Sequence, residues 1–204
     1  DCVVKGRKMG VVTLKVPGRH NILNALACIA VGLALSIDFN VIRQSLQEYS
    51  GVQRRFQFKS NAHDIFIVDD YGHHPTEIKA TLEAARSFNR QRIITVFQPH
   101  RYSRTKFLMD DFVESLSASD YLILTDIYAA SEEPIEGVSA QHLYEKIKQA
   151  GKAEVVYLKK EDIVNHLVNM VRQGDMVITL GAGDVTKISD QLAEVLTPTG
   201  RKAR

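Results

Sequence analysis

The sequence from Arg54 onward alternates apolar runs with amphipathic segments, and this alternation most constrains the fold. Each apolar run is a predicted strand, and each is followed by a predicted helix. The strand–helix pairs occupy residues 64–68 and 75–88, 92–97 and 106–116, 121–125 and 140–150, 154–158 and 161–172, and 176–180 and 185–196. Strands and helices that alternate at this spacing form parallel sheets with helices packed on them. We therefore predict an α/β fold with a Rossmann-like, mostly parallel sheet and helices on both faces.

The opening of the chain follows a different pattern. Residues 2–16 predict a β-hairpin, and two helices follow it, the first over residues 22–35 with Asn21 in the N-cap position. This helix is apolar on almost every face, so it needs more neighbours than a hairpin and one further helix can supply. We therefore expect residues 1–52 to be the C-terminal fragment of a second α/β domain, and residues 53–204 to be a domain of their own.

Charge and cysteine content narrow the classes of function. The formal net charge of +2 is too small to predict binding to nucleic acid or to a membrane surface. The cysteines, Cys2 and Cys28, form no CxxC motif, and the position of Cys28 in the apolar helix predicts a buried free thiol. No apolar run approaches the roughly 18 residues of a membrane span and no signal peptide is visible, so we expect a cytoplasmic protein. Because the chain begins with Asp1 rather than Met, we expect a piece of a longer polypeptide.

The loop after the first of the five predicted strands carries more chemistry than a turn needs. It reads Asp-Asp-Tyr-Gly-His-His-Pro-Thr-Glu over residues 69–77. Pro75 suits the first position of the following helix, and Glu77 would lie in its first turn, where the helix dipole favours a carboxylate. Because ligands bind beyond the carboxyl ends of strands in open α/β sheets, this loop is the first candidate site.

Asp70 and His73 are the candidate ligand-binding residues of this loop. A carboxylate after a strand commonly holds ribose hydroxyls, and Asp70 lies nearer the tip than Asp69, for which we expect a strand-end hydrogen-bonding role. His73 and His74 are adjacent, and neighbouring side chains in one loop rarely point to one ion, so metal binding is the less favoured interpretation. A further alternative is that His74 caps the helix while His73 packs in the core.

Two arginines follow the second predicted strand, in Gln-Pro-His-Arg-Tyr-Ser-Arg-Thr at residues 98–105. The guanidinium groups of Arg101 and Arg104 suit bidentate capture of a carboxylate or a phosphate. The alternative is that both are surface arginines or form salt bridges with Asp110 and Asp111. The histidines expected on the same sheet edge favour the binding role.

The remaining loops after strands give weaker signals. Residues 126–134 form an unusual polar loop, whereas the lysine pair at residues 159–160 predicts a solvated turn. The Gly-Ala-Gly-Asp turn at residues 181–184 predicts either an anion-binding turn or tight packing of a strand against a helix. The sequence contains no G-x-x-x-x-G-K-[ST] motif, so an ATP phosphate-binding loop would have to lie outside this chain.

These motifs together resemble those of the Mur ligase family of peptidoglycan synthesis. The resemblance rests on residues 70–77, 97–105 and 181–184, with Gly-Arg-His-Asn-Ile-Leu-Asn-Ala-Leu at residues 18–26 and Arg-Arg-Phe at residues 54–56 in the same order. It covers essentially the whole chain and is closest to the family members that join L-alanine to UDP-N-acetylmuramate. Such enzymes have three domains, so the resemblance implies the end of the central ATPase domain followed by the C-terminal Rossmann-like domain. The N-terminal domain and most of the central domain of the same polypeptide would then be missing.

The resemblance also implies a reaction and a set of nucleotide-binding residues. The reaction is ATP-dependent amide formation through an acyl phosphate, with ATP and Mg²⁺ as cofactors and the Mg²⁺ ligands mainly outside this chain. Asn24 would contact the adenine side of ATP, with support from Asn21. Arg55 would approach the phosphates, and Asp70 would hold the ribose.

The resemblance assigns the amino-acid substrate to the remaining candidates. His73, Arg101 and Arg104 would hold L-alanine while its amine attacks the activated carboxyl group of UDP-N-acetylmuramate. Two alternatives stay open at this point: a related ligase that recycles murein tripeptide, and a non-catalytic module that binds a nucleotide or an anion. The run Gln-Pro-His-Arg-Tyr at residues 98–102 favours the alanine ligase over the recycling ligase.

Overall fold

The computed structural model describes residues 1–197, and within it the chain forms two compact units. The first unit comprises Asp1–Gln53, and the second begins at Arg54. Each unit has hydrophobic clusters of its own, one in the first and two in the second. The two units are therefore described separately.

The first unit is a hairpin followed by two helices. Strands β1 (Cys2–Val4) and β2 (Arg7–Gly10) pair antiparallel, and helices α1 (Arg19–Ala34) and α2 (Phe39–Glu48) follow. Its small core is built from buried side chains of the hairpin and both helices. These are Cys2, Ile29, Phe39 and Ile42.

Two details of the first unit differ from expectation. Helix α1 begins at Arg19 with Gly18 as its N-cap, so the N-cap prediction for Asn21 is wrong. The Asn21 side-chain amide instead donates to the Pro17 carbonyl oxygen at 2.6 Å. The buried thiol belongs to Cys2, whereas Cys28 is exposed, because α1 buries only a narrow stripe in this unit. Large apolar side chains of the same helix are exposed, among them Ile22, Leu23, Leu26 and Val31.

The second unit is built on a six-stranded sheet. Its strands are β3 (Gln57–Ser60), β4 (Phe66–Asp70), β5 (Arg92–Phe97), β6 (Tyr121–Leu124), β7 (Glu154–Tyr157) and β8 (Asp175–Leu180). Their order in the sheet is β3-β4-β8-β5-β6-β7, and every neighbouring pair is parallel except β3 with β4. The five predicted strands are therefore confirmed, and the antiparallel edge strand β3 is an addition that the sequence pattern did not reveal.

Helices cover both faces of this sheet, as predicted. They are α3 (Pro75–Arg86), α4 (Tyr102–Phe107), α5 (Met109–Leu116), α6 (Ala140–Ala150), α7 (Lys160–Met170) and α8 (Thr186–Leu196). Helices α3, α5 and α6 pack on one face around Leu82, Phe112 and Leu143, and α7 and α8 pack on the other around Leu167 and Leu192. In the described part of the chain, no helix is long and apolar enough to cross a membrane.

The central strand β8 shows how this arrangement positions the loops. All six of its residues are buried, with Met176, Ile178 and Leu180 facing one helical layer and Val177 facing the other. Because β4, β8, β5, β6 and β7 run parallel, the loops that follow them gather at one edge of the sheet. That edge carries most of the side chains selected from the sequence.

Candidate functional site

The loop after β4 is shaped by the Asp70 carboxylate. This side chain is only 5% exposed, and its two oxygens accept the backbone N–H groups of Phe56 at 2.8 Å and Gly72 at 2.6 Å. Burial raises the pKa of Asp70, against the lowering effect of these two hydrogen bonds. A Cβ atom at residue 72 would lie 2.9 Å from Asp70 Oδ1, so glycine lets the loop close over the carboxylate. Asp70 therefore holds the backbone of its own loop in place.

Asp69, in β4, connects the segment before β3 with β8 and the start of α8. Its carboxylate is fully buried and accepts hydrogen bonds from Thr179 at 2.6 Å, from Thr186 at 2.9 Å and from Arg54 Nε at 3.2 Å. Arg54 also donates to the carbonyl oxygen of Gly181 at 2.6 Å. The strand-end hydrogen-bonding role expected for Asp69 is confirmed, and Arg54 is a site residue for which the sequence had predicted no role.

The start of α3 is capped as its sequence suggested. Pro75 is the first helical residue, and the Glu77 carboxylate accepts the backbone N–H groups of His73 at 3.1 Å and His74 at 3.2 Å. Burial alone would raise the pKa of Glu77, but these hydrogen bonds and the guanidinium of Arg55 hold it below its ordinary value. The His74 ring accepts from the Thr76 N–H, so the capping interpretation of His74 is correct. His73, in contrast, stays partly exposed rather than packed in the core.

Two imidazole rings meet at the sheet edge. His73 Nδ1 donates to the Tyr71 carbonyl oxygen at 3.0 Å, which leaves Nε2 of the neutral ring as a hydrogen-bond acceptor. The centre of this ring lies 5.6 Å from that of His100, which stacks on Tyr128. His100 Nδ1 accepts from Arg104 at 3.1 Å, so its neutral ring carries the proton on Nε2. The pair therefore presents one acceptor nitrogen and one donor nitrogen.

The electrostatic surroundings keep His100 neutral. Burial, the neighbouring His73 and the guanidinium groups of Arg104 and Arg101 all lower the pKa of His100, and Glu132 only partly opposes them. Since an isolated imidazole already has a pKa near 6.5, His100 is uncharged at neutral pH. His100 therefore adds no positive charge to that of the arginines at this edge.

The two predicted arginines differ in how they are held. Arg104 is partly buried and donates to both the ring and the carbonyl oxygen of His100, each at 3.1 Å. Arg101 precedes α4 with a φ of 75°, and its side chain is 47% exposed, which leaves donors accessible to a ligand. The alternative pairing with Asp110 or Asp111 is not seen for either arginine. Asp110 instead pairs with Lys146 at 2.9 Å.

The loop after β6 is joined to the arginine loop by backbone hydrogen bonds. Tyr128 donates to the Pro99 carbonyl oxygen at 2.8 Å and accepts from the Arg101 N–H at 2.9 Å. Further along, the Glu132 carboxylate accepts from the N–H and hydroxyl of Ser103 and lies 3.4 Å from the Arg101 guanidinium. The sequence had marked this loop as unusual, but it gave no reason to choose Glu132.

The Gly-Ala-Gly-Asp turn after β8 packs tightly against Gln98. The buried Gln98 amide accepts from the Val185 N–H at 3.2 Å and donates to Asp184 at 3.1 Å. Lys160 donates to the other oxygen of Asp184 at 2.6 Å, so the expectation of a merely solvated lysine pair is wrong for Lys160. A Cβ atom at Gly183 would collide with the Gln98 amide and lie 2.7 Å from the Tyr128 ring. These contacts favour the packing interpretation of the turn.

The predicted site residues fall into two groups. His73, Arg101 and Arg104 share the sheet edge of the second unit with Arg55 and Asp70, and His100 contacts both His73 and Arg104. The other two residues are on α1 of the first unit, where the Asn24 amide lies 3.4 Å from the Asn21 side-chain oxygen. Within residues 1–197, no three His, Cys, Asp or Glu side chains are grouped as they would be around a metal ion.

Comparison with curated proteins finds relatives that share most of this chain. The UDP-N-acetylmuramate–L-alanine ligase of Geotalea daltonii is 49% identical over 94% of this chain and 42% of its own length. The ligase of the same name from Salinibacter ruber is 46% identical over the whole of this chain and 43% of its own. The chain thus spans less than half the length of the curated relatives it matches.

Solved structures support the same fold. The UDP-N-acetylmuramate–alanine ligase of Thermotoga maritima superposes with a TM-score of 0.78 at 30% identity, over 94% of this chain and 41% of that protein. A murein peptide ligase of Psychrobacter arcticus superposes with a TM-score of 0.62 at 24% identity, over 94% of this chain and 40% of that protein, which is a likeness of fold alone. Residues 54–183 match the family model described as "Mur ligase, glutamate ligase domain". Because this match covers most of the residues of the chain, the protein belongs to the Mur ligase family.

Proposed function

We propose that this chain is the C-terminal part of an ATP-dependent ligase that joins L-alanine to UDP-N-acetylmuramate in peptidoglycan synthesis. The relatives that bear that name are 46% to 50% identical to it over most of its length. The reaction would take place in the cytoplasm, where ATP is supplied. Since the chain spans only about 42% of those relatives, the remaining parts of the catalytic machinery would come from preceding segments of the polypeptide.

The two units are proposed to correspond to two domains of such an enzyme. The first unit would be the end of the central ATP-binding domain, since α1 exposes an apolar face that a small local core does not use. The second unit would be the C-terminal domain, which has two large hydrophobic clusters of its own. Limited proteolysis is expected to cut near residues 50–53 and leave a resistant C-terminal product. A single indivisible core would contradict this boundary.

The observation that carries the proposal is the group of His73, His100, Arg101 and Arg104 at the sheet edge. An amino acid that attacks an activated carboxyl group must have its carboxylate held so that its amine faces the electrophile. The exposed guanidinium of Arg101 and the more fixed guanidinium of Arg104 suit the carboxylate-binding role. Two arginines beside the uncharged His100 ring form a site for an anionic group with a neighbouring amine.

His73 is proposed to assist the amine. Its Nδ1 proton is engaged by the Tyr71 carbonyl oxygen, so Nε2 of the neutral ring can accept a hydrogen bond from the ammonium group of the amino acid. The ammonium group must lose a proton to become a nucleophilic amine, and a positioned imidazole can orient the group and accept that proton. His100, protonated on Nε2, would act as a neutral donor next to it.

The proposed nucleotide-binding residues are Asn21, Asn24, Arg55 and Asp70. Arg55 fits a phosphate contact because its side chain is 51% exposed and packs over the Tyr71 ring. The Asp70 oxygens each accept one backbone N–H, and a carboxylate has further lone pairs with which to accept a ribose hydroxyl. ATP would supply the phosphoryl group that activates the substrate carboxyl group, and Mg²⁺ would be held mainly by residues outside this chain.

A direct test uses a full-length ligase that contains this chain. Phosphate release from ATP should depend on UDP-N-acetylmuramate together with L-alanine, and the 204-residue chain alone should release none. A preference for murein tripeptide over L-alanine would favour the recycling ligase instead. ATP binding without any amino-acid-dependent turnover would favour the non-catalytic module. Either outcome would overturn the proposal.

A further inference from the structure

Glu132 has a defined place beside the proposed carboxylate site. One oxygen accepts the Ser103 N–H at 2.9 Å, and the other accepts the Ser103 hydroxyl at 2.7 Å. The same second oxygen lies 3.4 Å from an Arg101 guanidinium nitrogen. These contacts from Ser103 and Arg101 lower the pKa of Glu132, which therefore carries its negative charge at neutral pH.

The backbone conformation before Glu132 places this side chain beside the arginine loop. The loop after β6 pairs with the arginine loop through His100 and Tyr128, which form a parallel bridge. Ala130 and Ser131 then adopt φ values of 50° and 67°, and Glu132 donates its N–H back to Ala129. Left-handed conformations at non-glycine residues cost energy, and they persist where the surroundings hold them in place.

We propose that Glu132 is a positioning residue that orients Arg101 for capture of the amino-acid carboxylate. The inference rests on the proposed function and deepens it, since it names a residue that acts on the same site through Arg101. The Ser103 hydrogen bonds anchor Glu132 to the first turn of α4, and the anchored carboxylate then limits the range of positions open to the Arg101 side chain. A side chain that is ordered before the substrate arrives loses less conformational entropy on binding.

The distances from Glu132 to its partners indicate that it positions Arg101 and does not compete with the substrate carboxylate for this guanidinium. Glu132 lies closer to Ser103, at 2.7 Å and 2.9 Å, than to Arg101, at 3.4 Å. A guanidinium has five N–H donors, so one contact with Glu132 leaves a free edge for bidentate binding of a second carboxylate. Glu132 therefore supports Arg101 from one side without occupying its whole binding surface.

The test uses steady-state kinetics of a full-length ligase that contains this chain. Glu132→Ala should raise KM for L-alanine about tenfold, as expected for loss of a charge-assisted contact. In the same variant, kcat and the KM for ATP should each differ from the wild-type value by less than about threefold. Glu132→Gln keeps an oxygen for Ser103 but loses the charge that faces Arg101, so its KM for L-alanine should lie between those of wild type and Glu132→Ala. Glu133→Ala, which removes an exposed carboxylate next in sequence, is the matched control and should leave all three constants unchanged.

A double-mutant cycle with Arg101→Ala separates this inference from the function on which it rests. If Glu132 acts through Arg101, Glu132→Ala should add little to KM for L-alanine once Arg101 is removed. Equal effects of Glu132→Ala in both backgrounds, or no effect in wild type, would overturn the positioning role. If Arg101→Ala itself leaves KM for L-alanine unchanged, the proposed carboxylate site is wrong. If Glu132→Ala lowers the melting temperature, the same double-mutant cycle is measured with Glu132→Gln in its place. That cycle then decides whether Glu132 acts through Arg101.

Discussion

The loop after β4 and the loop after β5 lie at the same edge of the sheet but use their charges differently. In the first, the Asp69 and Asp70 carboxylates are buried and are occupied by hydrogen bonds from within the protein. In the second, Arg101 is about half exposed and has donors to spare. The comparison indicates that the acidic residues mainly build the site, whereas the arginines are available to a ligand.

The largest expected effect is a loss of folding stability when the fully buried, hydrogen-bonded Asp69 is removed. Asp69→Ala leaves Arg54, Thr179 and Thr186 without their shared acceptor, and breaking a buried ion pair from one side costs about 3–5 kcal/mol. Urea unfolding of the 204-residue chain, followed by fluorescence or circular dichroism, measures this loss. Asp110→Ala is the control, since Asp110 forms an exposed pair with Lys146 and its removal should cost less than about 1 kcal/mol. Equal losses for both variants would contradict the scaffold role of Asp69.

Asp69→Ala is expected to affect stability. Substitution of Arg101 or Arg104 should instead weaken binding of L-alanine strongly and change stability little. In a full-length ligase, Arg101→Ala or Arg104→Ala should raise KM for L-alanine by an amount equivalent to about 2–3 kcal/mol, with a smaller change in KM for ATP. Lysine should rescue only in part, because it lacks the planar fork. Lys106→Ala, at an exposed position of α4, is the control. Loss of ATP affinity with unchanged saturation by L-alanine would move both arginines to the phosphate site.

Asp70→Asn tests whether one residue both stabilises the fold and binds a ligand. The amide keeps one oxygen acceptor but replaces the other with an N–H₂ group, which cannot accept from the Gly72 or Phe56 N–H. We expect a stability loss of about 1–2 kcal/mol, together with a KM for ATP raised by a similar energy if Asp70 also holds the ribose. Unfolding and ATP kinetics on the same variant separate the two effects. A stability loss with unchanged ATP kinetics would leave Asp70 as scaffold alone.

The smallest effect is a pH dependence at the cap of α3. The pKa of Glu77 is lower in the folded protein than in the unfolded chain, so the stability it contributes is present above the unfolded value, near pH 4.3, and is lost as pH falls through the folded value. Because Glu77 is one-third exposed, the effect should stay below about 1 kcal/mol. The stability difference between wild type and Glu77→Gln, from urea unfolding, should be constant above about pH 5.5 and shrink below about pH 4. A difference that grows on acidification would contradict this assignment.

The places where the sequence predicted the fold well share a local cause. The strand–helix alternation is a periodic signal, and all five predicted strands are present. Pro75 and Glu77 marked the start of α3 because a missing N–H and a nearby carboxylate both suit a helix N-terminus. In contrast, the polar, half-exposed β3 has no such period, and its role as a strand depends on pairing with β4.

Several site contacts join residues that are far apart in sequence, and these could not be predicted. Glu132 reaches Ser103 and Arg54 reaches Gly181 only after the sheet has brought their loops together. Helix α1 shows a related failure, because the apolar run suggested burial of Cys28 but did not reveal which face this unit would bury.

The sequence by itself determined the five parallel strands and the helices that alternate with them, which loops carry titratable and cationic side chains, and which motifs mark the family. Those properties depend on local propensity, periodicity and residue chemistry. Only the tertiary structure decided that β8 lies between β4 and β5, and that the loop after β6 supplies the partner of Arg101. The physical reason is that strand order and side-chain partners depend on which non-local pairings bury apolar surface and satisfy hydrogen bonds together, and no short window of sequence contains both partners.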